Sequence, residues 1–349
     1  MKDGSGRTSQ GGGGIDRNLG MELVRVTEAA ALSAAPHMGR GDGKAGDAAA
    51  VGAMRAVLDT VSMKGTIIIG EGEKDDAPML FNGEAVGTGE DPEMDLAVDP
   101  VEGTRLLALG RPNAIAVIAA APRNSMWKPG SSYYMEKLVV GSEARDRIDI
   151  TAPVEENLRQ VSGALGRPVS QLTVFVLDKP RHKELIRRIR KAGARVALHT
   201  DGDVMGAILA AYPGTGIDLL MGIGGTPEGV IAAGAVKALG GGMQGRRAPQ
   251  LQAERERLAE EMDEAERERV LELEELLRGD DAFFAATAIT GSAFMDGVRY
   301  DQGLGVTTES LVIRARSGSI RRIQGTHRLN PEHIFADRGL QAVVTAVTG

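Results

Sequence analysis

Four places in the chain set acidic side chains beside glycines, directly after a run of strand-forming residues. Glu71 and Glu73 follow Thr66-Ile67-Ile68-Ile69. Asp99 and Glu102 follow Met94–Val98. Asp201 and Asp203 follow Ala194–His199. Glu228 follows Ile217–Met221 and the string Gly224-Gly225-Thr226-Pro227. Ligands of open α/β sheets gather beyond the carboxyl ends of strands. Where these ends converge, several carboxylates meet, and each raises the pKa of the others unless a cation neutralises them. Ligand sets made only of oxygen select hard ions, Mg²⁺ or Mn²⁺ rather than zinc or copper. The five histidines form no H-x-x-x-H pair, and cysteine is absent, which removes thiolate ligands and cysteine nucleophiles.

The densest of these strings is Asp99-Pro100-Val101-Glu102-Gly103-Thr104. Pro100 fixes its own φ and removes a donor. Gly103 permits close approach, and Thr104 places a hydroxyl at an expected helix start, where backbone N–H groups favour phosphate. Lys179-Pro180-Arg181-His182 follows the strand-like run Thr173–Leu177 and offers a point charge and a bidentate fork for phosphate. Gly222-Ile223-Gly224-Gly225-Thr226-Pro227-Glu228, with glycines ahead of a proline at a first helical position, is a second phosphate-binding candidate, or otherwise a tight strand-to-helix turn. Tyr134 on its own reads as a core or rim residue. No Walker A loop is present, and Pro227 occupies the third glycine position of a dinucleotide fingerprint.

The elements that must carry these residues alternate between strand and helix. Helical spacing starts near Leu19 and stops at Pro36, and a second helix is expected from Asp47, as its N-cap, to about Val61. Further strands are expected at Ala114–Ala121, Lys137–Val140 and Thr307–Arg314, with helices near 182–192, 203–212 and 228–239. This alternation predicts a layered α/β fold. Residues 249–278 hold mostly acids and arginines and read as one long solvated surface helix, or otherwise as an interaction arm. Residues 1–16 are Gly/Ser-rich, lack an apolar leader core, and are expected to be a disordered tail.

Composition narrows the function classes. The chain has 349 residues, 42% hydrophobic and 26% charged, ordinary for a globular protein with one large two-part core. A net charge of −7 and 3% aromatics argue against a reader of nucleic-acid phosphates or bases. No apolar run nears the ~18 residues that a membrane span requires. The lack of cysteine fits a reducing cytoplasm.

The pairing of Gly70-Glu71-Gly72-Glu73 with DPVEGT (99–104) resembles the metal-dependent, lithium-sensitive sugar and inositol phosphatase superfamily. The strings Gly39-Arg40-Gly41-Asp42, IIIGEGEKDDAPML (67–80), DLAVDPVEGT (95–104), YMEKLVVG (134–141), LDKPRH (177–182), DGDV (201–204) and GIGGTPEGV (222–230) are similar to the bacterial class II fructose-1,6-bisphosphatases, over roughly residues 17–330. The resemblance implies an αβαβα layered α/β (α+β) fold of two packed subdomains. About 17–150 would form a metal-binding half and about 151–349 a sugar-phosphate half. It implies two or three Mg²⁺ or Mn²⁺ ions held by Asp47, Glu71, Asp99, Glu102 and Glu228. It implies that Glu102, Gly103, Thr104, Tyr134, Lys179, Pro180, Arg181, Asp201, Gly202, Asp203 and Gly225 contact the sugar bisphosphate. Thr104, oriented by Asp47, is the catalytic candidate.

The activity so implied is release of the 1-phosphate of fructose 1,6-bisphosphate in gluconeogenesis, by a cytoplasmic homodimer or homotetramer with neither nucleic-acid nor membrane partners. The alternatives are another phosphomonoester, such as sedoheptulose 1,7-bisphosphate or an inositol phosphate, and a non-catalytic sugar-phosphate scaffold. The sequence departs from the family pattern at Gly43-Lys44, where Lys-Asn is usual, in the segment 129–133, and at Ala288.

Overall fold

The computed structural model describes residues 18–72, 78–301 and 305–327, so the N-terminal segment and Glu73 lie outside the described residues. In chain order the strands are β1 (Lys64–Ile69), β2 (Ala85–Val86), β3 (Glu93–Glu102), β4 (Ile115–Pro122), β5 (Tyr134–Val140), β6 (Thr173–Leu177), β7 (Arg195–His199), β8 (Leu219–Gly225), β9 (Gly242–Arg247), β10 (Val270–Glu272), β11 (Phe283–Ala288), β12 (Arg299–Asp301), β13 (Gly305–Arg314) and β14 (Ser319–His327). The helices are α1 (Leu19–Ala34), α2 (Gly43–Leu58), α3 (Thr104–Ala108), α4 (Val154–Leu165), α5 (Lys183–Lys191), α6 (Asp203–Ala211), α7 (Thr226–Ala238), α8 (Gln252–Glu261), α9 (Glu264–Glu268) and α10 (Leu273–Leu276).

Two mixed sheets result. One runs β12-β13-β11-β4-β3-β1-β2 with β14 added on β13; the other runs β10-β9-β5-β8-β6-β7. The chain builds the first sheet through β4, leaves it for the whole of the second, and returns with β11. Both faces of the central strands are covered, so they read as continuous apolar runs. Alternation still sorts their side chains. In β4, Ala116, Ile118 and Ala120 join the core under α1 and α2, while Ile115, Val117, Ala119 and Ala121 face α6 and α7. In β6, Phe175 and Leu177 face α6 and α7, while Val174 and Val176 face α4 and α5. The order is therefore helix pair, sheet, helix pair, sheet, helix pair: the αβαβα layering that the resemblance implied. Among the described residues, no helix is long and apolar enough to cross a membrane.

Three expectations are corrected. The second helix begins at Gly43, not Asp47, because the Asp42 side chain accepts from the Ala45 N–H at 3.0 Å and caps the helix there, ahead of Asp47. Asp47 is thereby placed on the helix rather than at its end. Residues 249–278 are not one helix. Met262 is extended, Asp263 caps a new short helix through the Glu266 N–H, and β10 then joins the second sheet. Glycines 222–225 are not a turn but the end of β8, paired from Gly222 to Gly225 with Lys137 to Tyr134 of β5.

Candidate active site

The carboxyl ends of β1, β3, β7 and β8 meet at one cleft of about 630 Å³. Its walls carry Asp47 from α2, Glu71 after β1, Asp99 and Glu102 from the end of β3, and Gly103 and Thr104 at the start of α3. Across from them stand Tyr134, Lys179, Arg181, Asp201, Gly202, Asp203, Gly225 and Glu228. Of the residues that the resemblance assigned to the site, all within the described residues, Pro180 does not line the cleft; it shapes the tight turn between Lys179 and His182.

Asp99 and Glu102 are three residues apart, so a regular strand would point them to opposite faces. The β3–β4 pairing instead shifts register between them: Asp99 pairs with Val117 and Glu102 with Ile115. That extra residue is a bulge, and it turns both carboxylates into the cleft. The turn then closes on itself. Asp99 Oδ1 accepts from the Val101 N–H at 3.0 Å, and Thr104 Oγ1 donates to the Val101 carbonyl at 3.1 Å. No hydrogen bond joins Thr104 to Asp47 among the described residues. Gly103, at φ +87°, holds a left-handed conformation that strains other residues.

Glu102 is buried, and its Oε1 accepts from the Val204 N–H at 2.9 Å, which ties the first sheet to the start of α6. The close approach continues at β8. A Cβ on Gly224 would overlap the Asp203 carboxylate, and one on Gly225 would overlap that of Glu228. The GIGG string is glycine-rich because carboxylates occupy the space where side chains would stand.

Burial and mutual repulsion dominate the electrostatics. Burial, with help from the Asp47 charge, pushes Glu71 up to about 7. Asp99 is raised well above the usual carboxylate range by burial, then by Glu228, Glu71 and Asp47. Glu102 is raised by burial, then by Asp203, Asp99 and Glu228. Glu228 is raised by burial and Asp203, against the opposing pull of Lys137. Asp47 is raised by burial.

The cleft's acids divide into two groups. Asp201 pairs with Lys179 at 2.8 Å, and Asp203 pairs with Lys137. Asp47, Glu71, Asp99, Glu102 and Glu228 form no ion pair with any described lysine or arginine, and Glu228 Oε2 is buried without a hydrogen-bond partner. Among the described residues, no three acids stand as a ready-made cage around one point. Unneutralised carboxylates hold one another apart. An all-oxygen set with raised pKa values and an orphaned buried oxygen fits hard divalent cations.

The basic turn that follows β6 is braced from behind. Nε and Nη2 of Arg181 both donate to the Ile223 carbonyl, at 3.0 and 2.7 Å, and its guanidinium lies 5.5 Å from the Tyr134 ring centroid. His182 is buried between the Leu177 carbonyl on Nδ1 and the Ile223 N–H on Nε2, each at 2.7 Å. Burial lowers its pKa, and accepting the Ile223 N–H fixes the neutral ring with its proton on Nδ1.

Sequence reasoning missed three residues here. Lys137 lies within YMEKLVVG, but nothing in a strand pattern says that its ammonium is buried. His182 reads as part of a basic turn. Glu254, inside the acidic stretch, is fully buried. Its Oε1 accepts from the Tyr133 and Tyr134 N–H groups at 2.6 and 2.9 Å, and its Oε2 from the Gln250 N–H at 3.0 Å. The one available signal was that a lone Glu at that spacing falls beside Leu258 on the helix.

The family described as "Bacterial fructose-1,6-bisphosphatase, glpX-encoded" matches residues 17–327. The chain is similar to the fructose-1,6-bisphosphatase class 2 of Haemophilus influenzae, with 45% identity over 329 residues covering 90% of this chain and 98% of that protein. It is 45% identical to the fructose-1,6-bisphosphatase 1 class 2 of Escherichia coli K12, over 325 residues covering 90% of this chain and 96% of that one. A match running from the first helix to the last described strand, with every acid-bearing strand end inside it, shows that the chain belongs to the bacterial glpX-encoded fructose-1,6-bisphosphatase family.

Proposed function

We infer that this protein is a metal-dependent phosphoric monoester hydrolase that converts fructose 1,6-bisphosphate to fructose 6-phosphate and phosphate, a step of gluconeogenesis. The observation that carries the reading is the division of charge in the cleft: five carboxylates without a protein cation share it with Lys179 and Arg181. The proposed metal ligands are Asp47, Glu71, Asp99, Glu102 and Glu228, for Mg²⁺ or Mn²⁺. Such ions, when bound, neutralise the phosphoryl oxygens and acidify a coordinated water.

The rest is the work of the chain's own side chains. Lys179 and Arg181 bind the phosphate remote from the reacting one, and Tyr134, packed against Arg181, walls that end. Asp201 and Asp203 accept hydrogen bonds from sugar hydroxyls, and the Gly103, Gly202 and Gly225 backbones leave room for them. The Thr104 hydroxyl, whose proton is on the Val101 carbonyl, presents its lone pairs to the attacking water and orients it, and Asp47 lines the same cleft from α2. Phosphoryl transfer passes through a loose transition state, so placement and charge supply most of the rate. The metal-binding and sugar-binding tasks divide between the earlier and later parts of the chain, with Tyr134 and Glu228 crossing that division.

Phosphate release from fructose 1,6-bisphosphate is the test, with Mg²⁺, with Mn²⁺ and with EDTA. The expected result is turnover with either ion and none with EDTA. Turnover unaffected by EDTA removes the metal reading. Preference for sedoheptulose 1,7-bisphosphate or an inositol phosphate in the same panel changes the substrate, and binding without release makes the chain a scaffold.

A further inference from the structure

The two acids at the sugar end, Asp201 and Asp203, share the cleft with the five cation-free ones, and all seven have the same ligating chemistry. What separates them is the lysines. Lys179 reaches Asp201 from the cleft wall. Lys137 comes from behind: it is buried in β5 and absent from the cleft lining. Its ammonium is bonded to Asp203 Oδ2 and, at 2.7 Å, to the Gly225 carbonyl. Gly224 and Gly229 leave the space that the Nζ and the Cδ of this side chain fill. A buried ammonium persists only with partners, and this one has an acid and a carbonyl.

We propose that Lys137 is a positioning residue that occupies the place of a cation beside Asp203, keeping this carboxylate out of the metal set and aimed at the sugar. The ammonium is bonded to the carbonyl of Gly225, the residue against which the Glu228 carboxylate also stands, so its charge attracts Glu228 too and limits how much positive charge the cleft takes up at that end. Without the ammonium, Asp203 and Glu228 are two unneutralised carboxylates beside one another, which is a binding arrangement for one more hard cation. This inference rests on the reading of the cleft as a metal-dependent phosphatase site.

The test is Mn²⁺ titration of the full-length protein by calorimetry, with KM and kcat measured in parallel. Lys137→Met keeps the length of the side chain and removes the charge. It is expected to bind Mn²⁺ with an added equivalent, or roughly tenfold more tightly, while KM for fructose 1,6-bisphosphate rises about tenfold and kcat moves less, the scale at which groups behind metal ligands act. The double variant Lys137→Met with Asp203→Asn is expected to return the Mn²⁺ isotherm to that of the wild type, because the extra site is gone.

If Lys137→Met does not fold, Asp203→Asn alone decides. The released ammonium then turns to Glu228, and Mn²⁺ binding weakens about tenfold. A folded Lys137→Met with unchanged isotherm and unchanged KM overturns the proposal, as does an unchanged isotherm in Asp203→Asn. A wild type that binds no Mn²⁺ refutes instead the underlying metal reading, so the two failures are distinct.

Discussion

At the scale of single residues, Thr104 and Glu71 have opposite kinds of environment. Thr104 is tied to its own turn by the Val101 carbonyl, with its lone pairs left for the cleft. Thr104→Ala is expected to lower kcat by roughly 10²-fold or more, the lower bound for a group managing a proton, with KM nearly unchanged. Thr104→Ser restores much of the rate, and an unchanged kcat in the alanine variant takes Thr104 out of the chemistry.

Glu71 carries the cost of a buried charge, with repulsion from Asp47 added to it. Its folded pKa of about 7 lies above the ordinary 4.5, so the folded state holds the proton more tightly. The corresponding stability is complete below pH 4.5 and is lost as the pH climbs through 7. The loss reaches at most about 3 kcal/mol. In EDTA, Glu71→Gln should therefore gain in Tm over the wild type as the pH goes from 5 to 8. A pH-independent difference between the two would refute the raised pKa of Glu71.

At the scale of elements, the acidic stretch is a fastening. Residues 249–278 break into α8, α9, β10 and α10, and α8 grips the segment that leads into β5. Glu254 takes two of its backbone N–H groups, Arg257 donates to the Tyr133 hydroxyl at 2.8 Å, and Ser131 donates to Glu261. Tyr134 stands at the end of that segment. Glu254→Ala leaves three N–H groups without an acceptor, at about 1–3 kcal/mol for each one that stays buried. The expected outcome is a lower Tm together with a raised KM and a smaller change in kcat. Normal KM in a folded variant would show that the grip matters for stability alone.

The end of β8 makes a second prediction of this scale. Gly225→Ala forces the Glu228 carboxylate aside. It should weaken Mn²⁺ binding by about 10–100-fold while the far-ultraviolet circular dichroism stays unchanged.

For the whole molecule, the proposed metal ligands couple metal binding to folding, because they are the same acids that burial and repulsion raise. The five cation-free carboxylates oppose the fold at neutral pH, and divalent ions remove that opposition. At an ion concentration 100 times Kd the gain is about 2.7 kcal/mol. Because protons and cations compete for the same oxygens, the rise in Tm on adding Mn²⁺ should be larger at pH 8 than at pH 6. Equal shifts at both pH values would separate the binding site from these groups.

A layered α/β fold was legible because strand-like and helical runs alternate along the chain; the αβαβα order came from the family resemblance. The run 115–122 is buried on both faces, as a strand covered by helices on each side must be. The acid-glycine strand ends were legible too, since chemistry at a strand end needs few residues and tight spacing. Asp47 was read as a cap because a helix start is judged by local side-chain bonding, and Asp42 three residues before Ala45 satisfies that bond first. The 249–278 stretch was read as solvated because charge density hides one buried carboxylate among eleven acids.

Residue types and spacing by themselves determined the alternation of strand and helix, the acids at the strand ends and the basic turn after Thr173–Leu177. They are short-range properties, written within a few positions of one another. Which acid receives a lysine was decided only in three dimensions. Lys137 and Asp203 are 66 residues apart, and Glu254 meets Tyr134 across 120. Charge pairing at such separations depends on which strands become neighbours and on how deeply the ammonium is buried, and no local pattern encodes either.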